Sequence, residues 1–178
     1  VSEIMIAGFG GQGILAAGVM LANAGLLAGL QTTWLPSYGA TMRGGTANCF
    51  VKIDSEEIGS PYIDEADFLL AFNEPSLLKF HGTVKKGGCI FANSSLIRKE
   101  VPRSDVNVFY VPATERAREL GDVRTANVFM LGVLFSKTAL LPYESAAASL
   151  EDYFSAKSEK VIELNKRVFR AGYEWKEG

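Results

Sequence analysis

Gly8, Gly10 and Gly13 stand at G-x-G-x-x-G spacing, with Gly11 and Gln12 inside the same turn, directly after the apolar run Ile4-Met5-Ile6-Ala7. Glycine has no Cβ, so the backbone can turn sharply there and lie against a ligand. From Ile14 and Leu15 onward the residues read as a helix. Its first N–H groups have no intrahelical partner, and the positive end of its dipole points the same way. The chemistry this arrangement offers is anion binding, most often of a phosphate. A second candidate is Arg43 in Met42-Arg43-Gly44-Gly45, where the glycines leave the guanidinium room to grip a carboxylate or phosphate through two bonds. Ser37 and Tyr38 fit either a turn or a ligand contact. Asn127, polar in an apolar helix, fits either a cap or a ligand contact. Each candidate also has a plainer reading: the turn allows close helix–sheet packing, and Arg43 is a surface charge. His81 reads as a helix end. Cys49 and Cys89 read as reduced core thiols that nothing nearby activates. No nucleophile–base pair, metal cluster or carboxylate pair emerges, so no catalytic residue and no metal ligand is assigned. Two cysteines fall short of the roughly four thiolates of an iron–sulfur cluster, and a single histidine falls short of a usual zinc set.

A nicotinamide dinucleotide site asks for an Asp or Glu about 20 residues beyond the glycines, to bond the ribose. Between Glu3 and Asp54 there is no acidic residue, and the only charges are Arg43 and Lys52. An NADP site can use an arginine instead, so a stand-alone NAD(P)-dependent dehydrogenase stays open beside the binding-unit reading. A purely structural subunit without ligand stays open too.

The elements that position these residues alternate. Residues 4–7 form a strand, and the uncharged segment 11–30 carries a helix apolar on nearly every face, packed on a sheet by one face and covered on the other, with Gly29 ending it. A strand over 32–35 stops at Pro36, and a loop leads to a strand over 49–53. Residues 68–72 read as a central parallel strand ending near Asn73. A short helix follows Pro75, residues 85–88 turn, and strands follow at 89–92 and 106–111. Helices are expected from Thr125, as a cap, to Lys137, and from Pro142 to Phe154. The last is an amphipathic helix with Val161, Leu164, Val168 and Trp175 on one side. This alternation predicts an α/β fold: a three-layer Rossmann-like domain with a mostly parallel sheet and helices on both faces. Ligands of such sheets sit at the carboxyl ends of the strands, where the glycine turn, the loop after Leu35 and Asn73 are expected to converge.

A chain of 178 residues, 48% hydrophobic and 21% charged, predicts one folded domain over 1–178. A net charge of −2 without basic runs argues against nucleic acid. The first strand begins too early for a signal peptide, and the apolar helix lacks flanking cations, so the expectation is a cytoplasmic protein without membrane spans. The two all-apolar helices predict a partner subunit to cover them.

The segments Gly8-Phe9-Gly10-Gly11-Gln12-Gly13-Ile14, Pro36-Ser37-Tyr38-Gly39, Arg43-Gly44-Gly45-Thr46-Ala47-Asn48-Cys49 and Asn127-Val128-Phe129-Met130-Leu131-Gly132 together resemble the gamma subunit of 2-oxoacid:ferredoxin oxidoreductases, to about residue 175. The 2-oxoglutarate or 2-oxoisovalerate enzymes are the nearest type, 2-oxoglutarate being the expected substrate. The resemblance implies an oxidoreductase of anaerobic metabolism that decarboxylates a 2-oxoacid, makes an acyl-coenzyme A and passes two electrons to ferredoxin. It implies partners: thiamine-binding alpha and beta subunits and a ferredoxin-like subunit, which hold the thiamine diphosphate and the iron–sulfur clusters, with homodimerisation when the chain is isolated. Coenzyme A is the cofactor implied for this chain, with Gly8, Gly10, Gly11, Gln12 and Gly13 at phosphate, Ser37, Tyr38, Arg43 and Gly44 in the facing loop, and Asn127 nearby. Ala40 and Thr41 stand where the family usually has Pro and Glu, which loosens the loop and removes a partner for Arg43.

Overall fold

The computed structural model describes residues 1–38 and 46–177, Tyr38 by its backbone alone. Six strands, β1 (Ser2–Phe9), β2 (Gln31–Tyr38), β3 (Thr46–Asp54), β4 (Ala66–Ala71), β5 (Val84–Asn93) and β6 (Asn107–Val111), make one sheet in the order β2-β3-β1-β4-β5-β6. From β1 through β4 and β5 to β6 every pairing is parallel, while β3 runs antiparallel to both β1 and β2. The central parallel strand expected at 68–72 is β4. Among the described residues six α-helices accompany the sheet: α1 (Ile14–Leu27), α2 (Glu74–Phe80), α3 (Ala113–Leu120), α4 (Ala126–Thr138), α5 (Tyr143–Phe154) and α6 (Glu159–Tyr173).

The two sides of the sheet are covered unequally. Ile4, Ile6, Val51, Leu70 and Phe91 pack with α1, α3, α4, α5 and α6 in the larger core. Met5, Ala7, Leu69 and Ile90 pack on the other face under α2 and the segments carrying Ile63, Ile97 and Val101. The mostly parallel sheet with helices on both faces is therefore present, with five helices on one side and one on the other.

The apolar helices find most of their cover within the chain. α1 lies between the sheet and α5, to which it is tied by the Ser149 hydroxyl donating to Met20 O at 2.7 Å. Every residue of α4 from Ala126 to Phe135 is buried, and α6 closes over it. The expectation that both helices need a partner for cover is thus corrected for α4. In α1 only Leu26 and Leu27 remain largely exposed. Gly29 does end α1: its φ is +79°, Gly29 N donates to Leu26 O and Leu30 N to Gly25 O, the two bonds of a Schellman motif.

Four local expectations change. β2 does not stop at Pro36 but continues to Tyr38, because β2 is an edge strand bonded only to β3, where a residue without an N–H is tolerated. Residues 85–88 lie inside β5, where the register against β4 slips between Ala66 and Phe68 and Gly87 adopts φ +79°. α3 has no counterpart in the sequence reading, because its buried face consists of Ala113 and Ala117, too thin a stripe for a periodicity argument. Thr125 occupies the N-cap position of α4 but does not cap it; its hydroxyl donates to Asp122 O at 2.7 Å.

At the amino end of the sheet Glu3 accepts ion pairs from Lys52 at 3.0 Å and Lys85 at 2.7 Å, and Lys85 also reaches Asp67 at 3.1 Å. Burial raises the Glu3 pKa, but the bonds from Lys85 and Lys52 together outweigh it and hold the carboxyl below its ordinary value. A depressed carboxylate contributes stability above its unfolded pKa and loses it as pH falls through the folded one. Glu3→Gln is therefore expected to cost on the order of 1–2 kcal/mol near neutrality, between the ranges of exposed and buried pairs. Urea unfolding of both proteins should show the gap closing as pH falls below about 4.

Candidate functional site

The glycine turn stands where β1 ends. Gly10 and Gly11 are exposed, Gly11 with φ +92°, and Gly13 precedes α1 in a left-handed conformation, φ +71°. No side chain caps the first turn of α1 and no acidic residue lies in it. The first-turn amides of Ile14, Leu15 and Ala16 precede the Ala17 N to Gly13 O bond that opens the helix ladder, so they carry the dipole's partial positive charge without an intrahelical acceptor.

Side chains hold this turn in shape from inside. Gln12 folds back: its Oε1 accepts from Phe9 N at 2.7 Å and from Asn73 Nδ2 at 3.1 Å, and its Nε2 donates to Phe72 O at 3.4 Å. Asn73 in turn caps α2 by accepting from Ser76 N at 2.9 Å. Asn127 Nδ2 donates to Gly13 O at 3.0 Å, while its Oδ1 accepts from Val128 N at 2.9 Å. Asn127 thus satisfies one first-turn amide of its own helix, without standing at the cap, and ties α4 to the turn. Asn93, fully buried, donates to Phe72 O and to the Thr114 hydroxyl and so fastens the start of α3 to the end of β4.

Not every candidate faces outward. Gly8 is buried, and a Cβ there would lie 2.6 Å from both Gln12 Oε1 and Ile14 Cδ1, so its place is the packing that lets the turn fold back. Gln12 and Asn127 spend their polar atoms on the protein, which leaves Gly10, Gly11, Gly13 and the following amides without a side-chain partner among the described residues. Ser37 is exposed, pairs with Asn48 and belongs to the face opposite α1. Arg43 and Gly44, with Ala40 and Thr41, lie outside the described residues. Their flanks are placed: Ala47 pairs with both Gly8 and Tyr38, and Thr46 with Phe9, so the segment leaves and re-enters the sheet level with the glycine turn. The turn and Asn73 meet at this end of the sheet with the described flanks of the loop; the rest of the loop lies outside the described residues.

A cavity of about 160 Å³ opens beside the turn, lined by Gly11, Gln12, Phe72, Thr114, Arg124 and Ala126, with the exposed Leu96 and Val123 also at its wall. Sequence reasoning missed Arg124, Asn93 and Thr114. They lie 80 to about 110 residues from the turn, Asn93 at the end of β5, Thr114 in α3, which periodicity did not show, and Arg124 in the short turn before α4, and nothing local marks them. The other candidates are structural. Cys49 is fully buried beneath α1, its Sγ 3.6 Å from Ile14 O, and burial pushes its thiol up to about 12. Burial also raises the Cys89 thiol. His81 ends α2, as expected. Among the described residues no helix is long and apolar enough to cross a membrane.

Against this geometry, similarity to known proteins is extensive. The ketoisovalerate oxidoreductase subunit VorA of Methanothermobacter marburgensis is 42% identical over 177 residues, which is 97% of this chain; the chain spans only 36% of that relative's length. The gamma subunit of a keto/oxoacid ferredoxin oxidoreductase from Geobacter sulfurreducens superposes with a TM-score of 0.84 at 29% identity, over 98% of this chain and 97% of that one. The 2-oxoglutarate:ferredoxin oxidoreductase of Magnetococcus marinus, solved with 2-oxoglutarate, coenzyme A and succinyl-CoA bound, superposes with a TM-score of 0.87 at 27% identity, over 97% of this chain and 30% of that one. A family model described as pyruvate ferredoxin/flavodoxin oxidoreductase matches residues 3–175, and the chain belongs to that family.

Proposed function

We propose that this chain is the gamma module of a 2-oxoacid:ferredoxin oxidoreductase, inactive alone, and that it holds the phosphate end of coenzyme A. The observation that carries the reading is the exposed Gly10-Gly11 turn, which borders a cavity at Gly11 and is followed by uncapped first-turn amides. Main-chain N–H groups and a helix dipole suit a phosphate and supply no redox or acid–base chemistry. The chain's part is therefore to bind and orient. With the phosphate end held here, the thiol end would be free to reach partner subunits, where thiamine diphosphate would supply the decarboxylation and iron–sulfur clusters the electron transfer. The donor set here suits that division: Cys49 is sealed in the core with its pKa pushed up to about 12.

The dehydrogenase alternative is disfavoured by topology. In a dinucleotide fold the strand beside β1 runs parallel to it and ends in the residue that bonds the ribose. Here β3, antiparallel, takes that place between β1 and β2. The substrate itself is a proposal of the same kind: 2-oxoglutarate follows from the sequence reading and from the Magnetococcus enzyme, while the VorA relative supports ketoisovalerate.

Reconstitution tests the reading. The chain alone is expected to turn over neither 2-oxoacid and to bind neither NADH nor NADPH by fluorescence titration. Combined with thiamine-binding and ferredoxin-like subunits it should support coenzyme A-dependent ferredoxin reduction, and comparing the two acids assigns the substrate. Turnover by the chain alone, or a complex equally active without it, overturns the proposal.

A further inference from the structure

Arg124 lines the same cavity as Gly11 and Gln12, and its guanidinium is half used. Of its five N–H donors, Nε reaches both Asp122 oxygens at 3.0 Å and Nη2 reaches Oδ2 at 2.6 Å. One side edge of the fork is therefore taken. The end edge, made by one Nη1 hydrogen and the second Nη2 hydrogen, meets no acceptor among the described residues. Asp122 is itself fixed. Its Oδ1 accepts from Arg124 N at 2.9 Å, and its carbonyl accepts from Thr125 N at 3.0 Å and from the Thr125 hydroxyl at 2.7 Å. The carboxylate thus orients the arginine without filling it, and the free edge has the geometry that grips two oxygens of one phosphate.

Cavity size limits what enters. At about 160 Å³ the space is well below the roughly 300–1,000 Å³ of sites that enclose a whole ligand. A phosphate group fits, and the remainder of a phosphorylated ligand stays outside.

We propose that Arg124, oriented by Asp122, is the side-chain cation of the phosphate subsite at the glycine turn. The inference rests on the reading of that turn as the coenzyme A phosphate site. It makes Arg124 a binding residue and Asp122 a positioning residue.

The experiment uses the reconstituted complex, with coenzyme A and with phosphate-free pantetheine as acyl acceptors. Arg124→Ala is expected to raise the coenzyme A KM about tenfold or more while kcat at saturation stays within about twofold. Arg124→Lys should recover part of the loss, since it restores the charge but not the fork. Asp122→Asn should raise the same KM by a smaller factor. None of the three should change the KM for pantetheine. Arg124 is exposed, so its variants should keep the parent melting temperature. An Arg124→Ala complex whose coenzyme A KM stays at the parent value, while Gly11→Asp raises it, sinks the arginine and leaves the turn standing. If neither change moves it, both readings fall. Equal effects on coenzyme A and pantetheine would mark a structural role and also overturn the proposal.

Discussion

Gly132→Ala is expected to destabilise the protein by about 1–3 kcal/mol, although alanine is the better helix former by about 1 kcal/mol. The reason is the crossing of α4 and α6. A Cβ on Gly132 would overlap Phe169 O and stand 2.7 Å from Tyr173 N, and a Cβ on Gly172 would overlap Phe129 O and stand 3.0 Å from Phe129 C. These are main-chain atoms inside two helices, so neither can swing aside as the end of a flexible side chain can. Relief requires the helices to separate, which loosens the edge-on contact of Phe135 with Phe169 at 5.5 Å between ring centres. For a chain of this size each kcal/mol moves the melting temperature by roughly 2–4 °C. Circular dichroism melts of Gly132→Ala, Gly172→Ala and Gly59→Ala decide the matter. Gly59, where a Cβ would meet nothing within 4 Å, is the neutral control. The double variant should cost less than the sum, because both substitutions spend the same gap. Parent-like melts for both single variants would contradict the close crossing.

Gly11→Asp should raise the coenzyme A KM of the reconstituted complex by about tenfold to a hundredfold, the scale of losing or opposing one charge-assisted contact. A Cβ at Gly11 meets nothing within 4 Å, so the folded state has room for the side chain. Its φ of +92° strains any side-chain residue, at a cost on the order of 1–3 kcal/mol. Gly11→Asn carries the same shape and the same strain without the charge. The difference between the two variants therefore isolates electrostatics from backbone distortion. The Asp effect should shrink at high salt and the Asn effect should not. Gly13→Ala is the poorer probe, because its Cβ would overlap the Asn127 amide and mix binding with stability. If Gly11→Asp and Gly11→Asn prove equal at every salt concentration, no anion is held at the turn.

Much of this was legible in the residues. The apolar run before Gly8, the missing carboxylates up to Asp54 and the uninterrupted apolar face of the first helix announced a strand, an anion-tolerant turn and a buried helix. What misled was local punctuation read without its neighbours. Pro36 looked like a stop, yet an edge strand tolerates it. Lys85-Lys86-Gly87-Gly88 looked like a turn between elements, yet β5 absorbs it as an irregularity of register. Gln12 stands as an implied phosphate contact and Asn127 as either a cap or a ligand contact; the fold adds that their amides brace the turn from within.

The sequence by itself determined the alternation of strand and helix and the chemistry available at the opening turn, since these depend on residue type and on spacing over a few positions, and its combined motifs carried the resemblance to the family. Tertiary structure alone decided the antiparallel β3 beside β1, the cover of α4 by α6 through two facing glycines, and the placing of Gly11 and Arg124 on one cavity. Those facts join residues far apart in the chain. Strand order and helix crossing follow from which surfaces exclude water together, and no short stretch of residues carries that information.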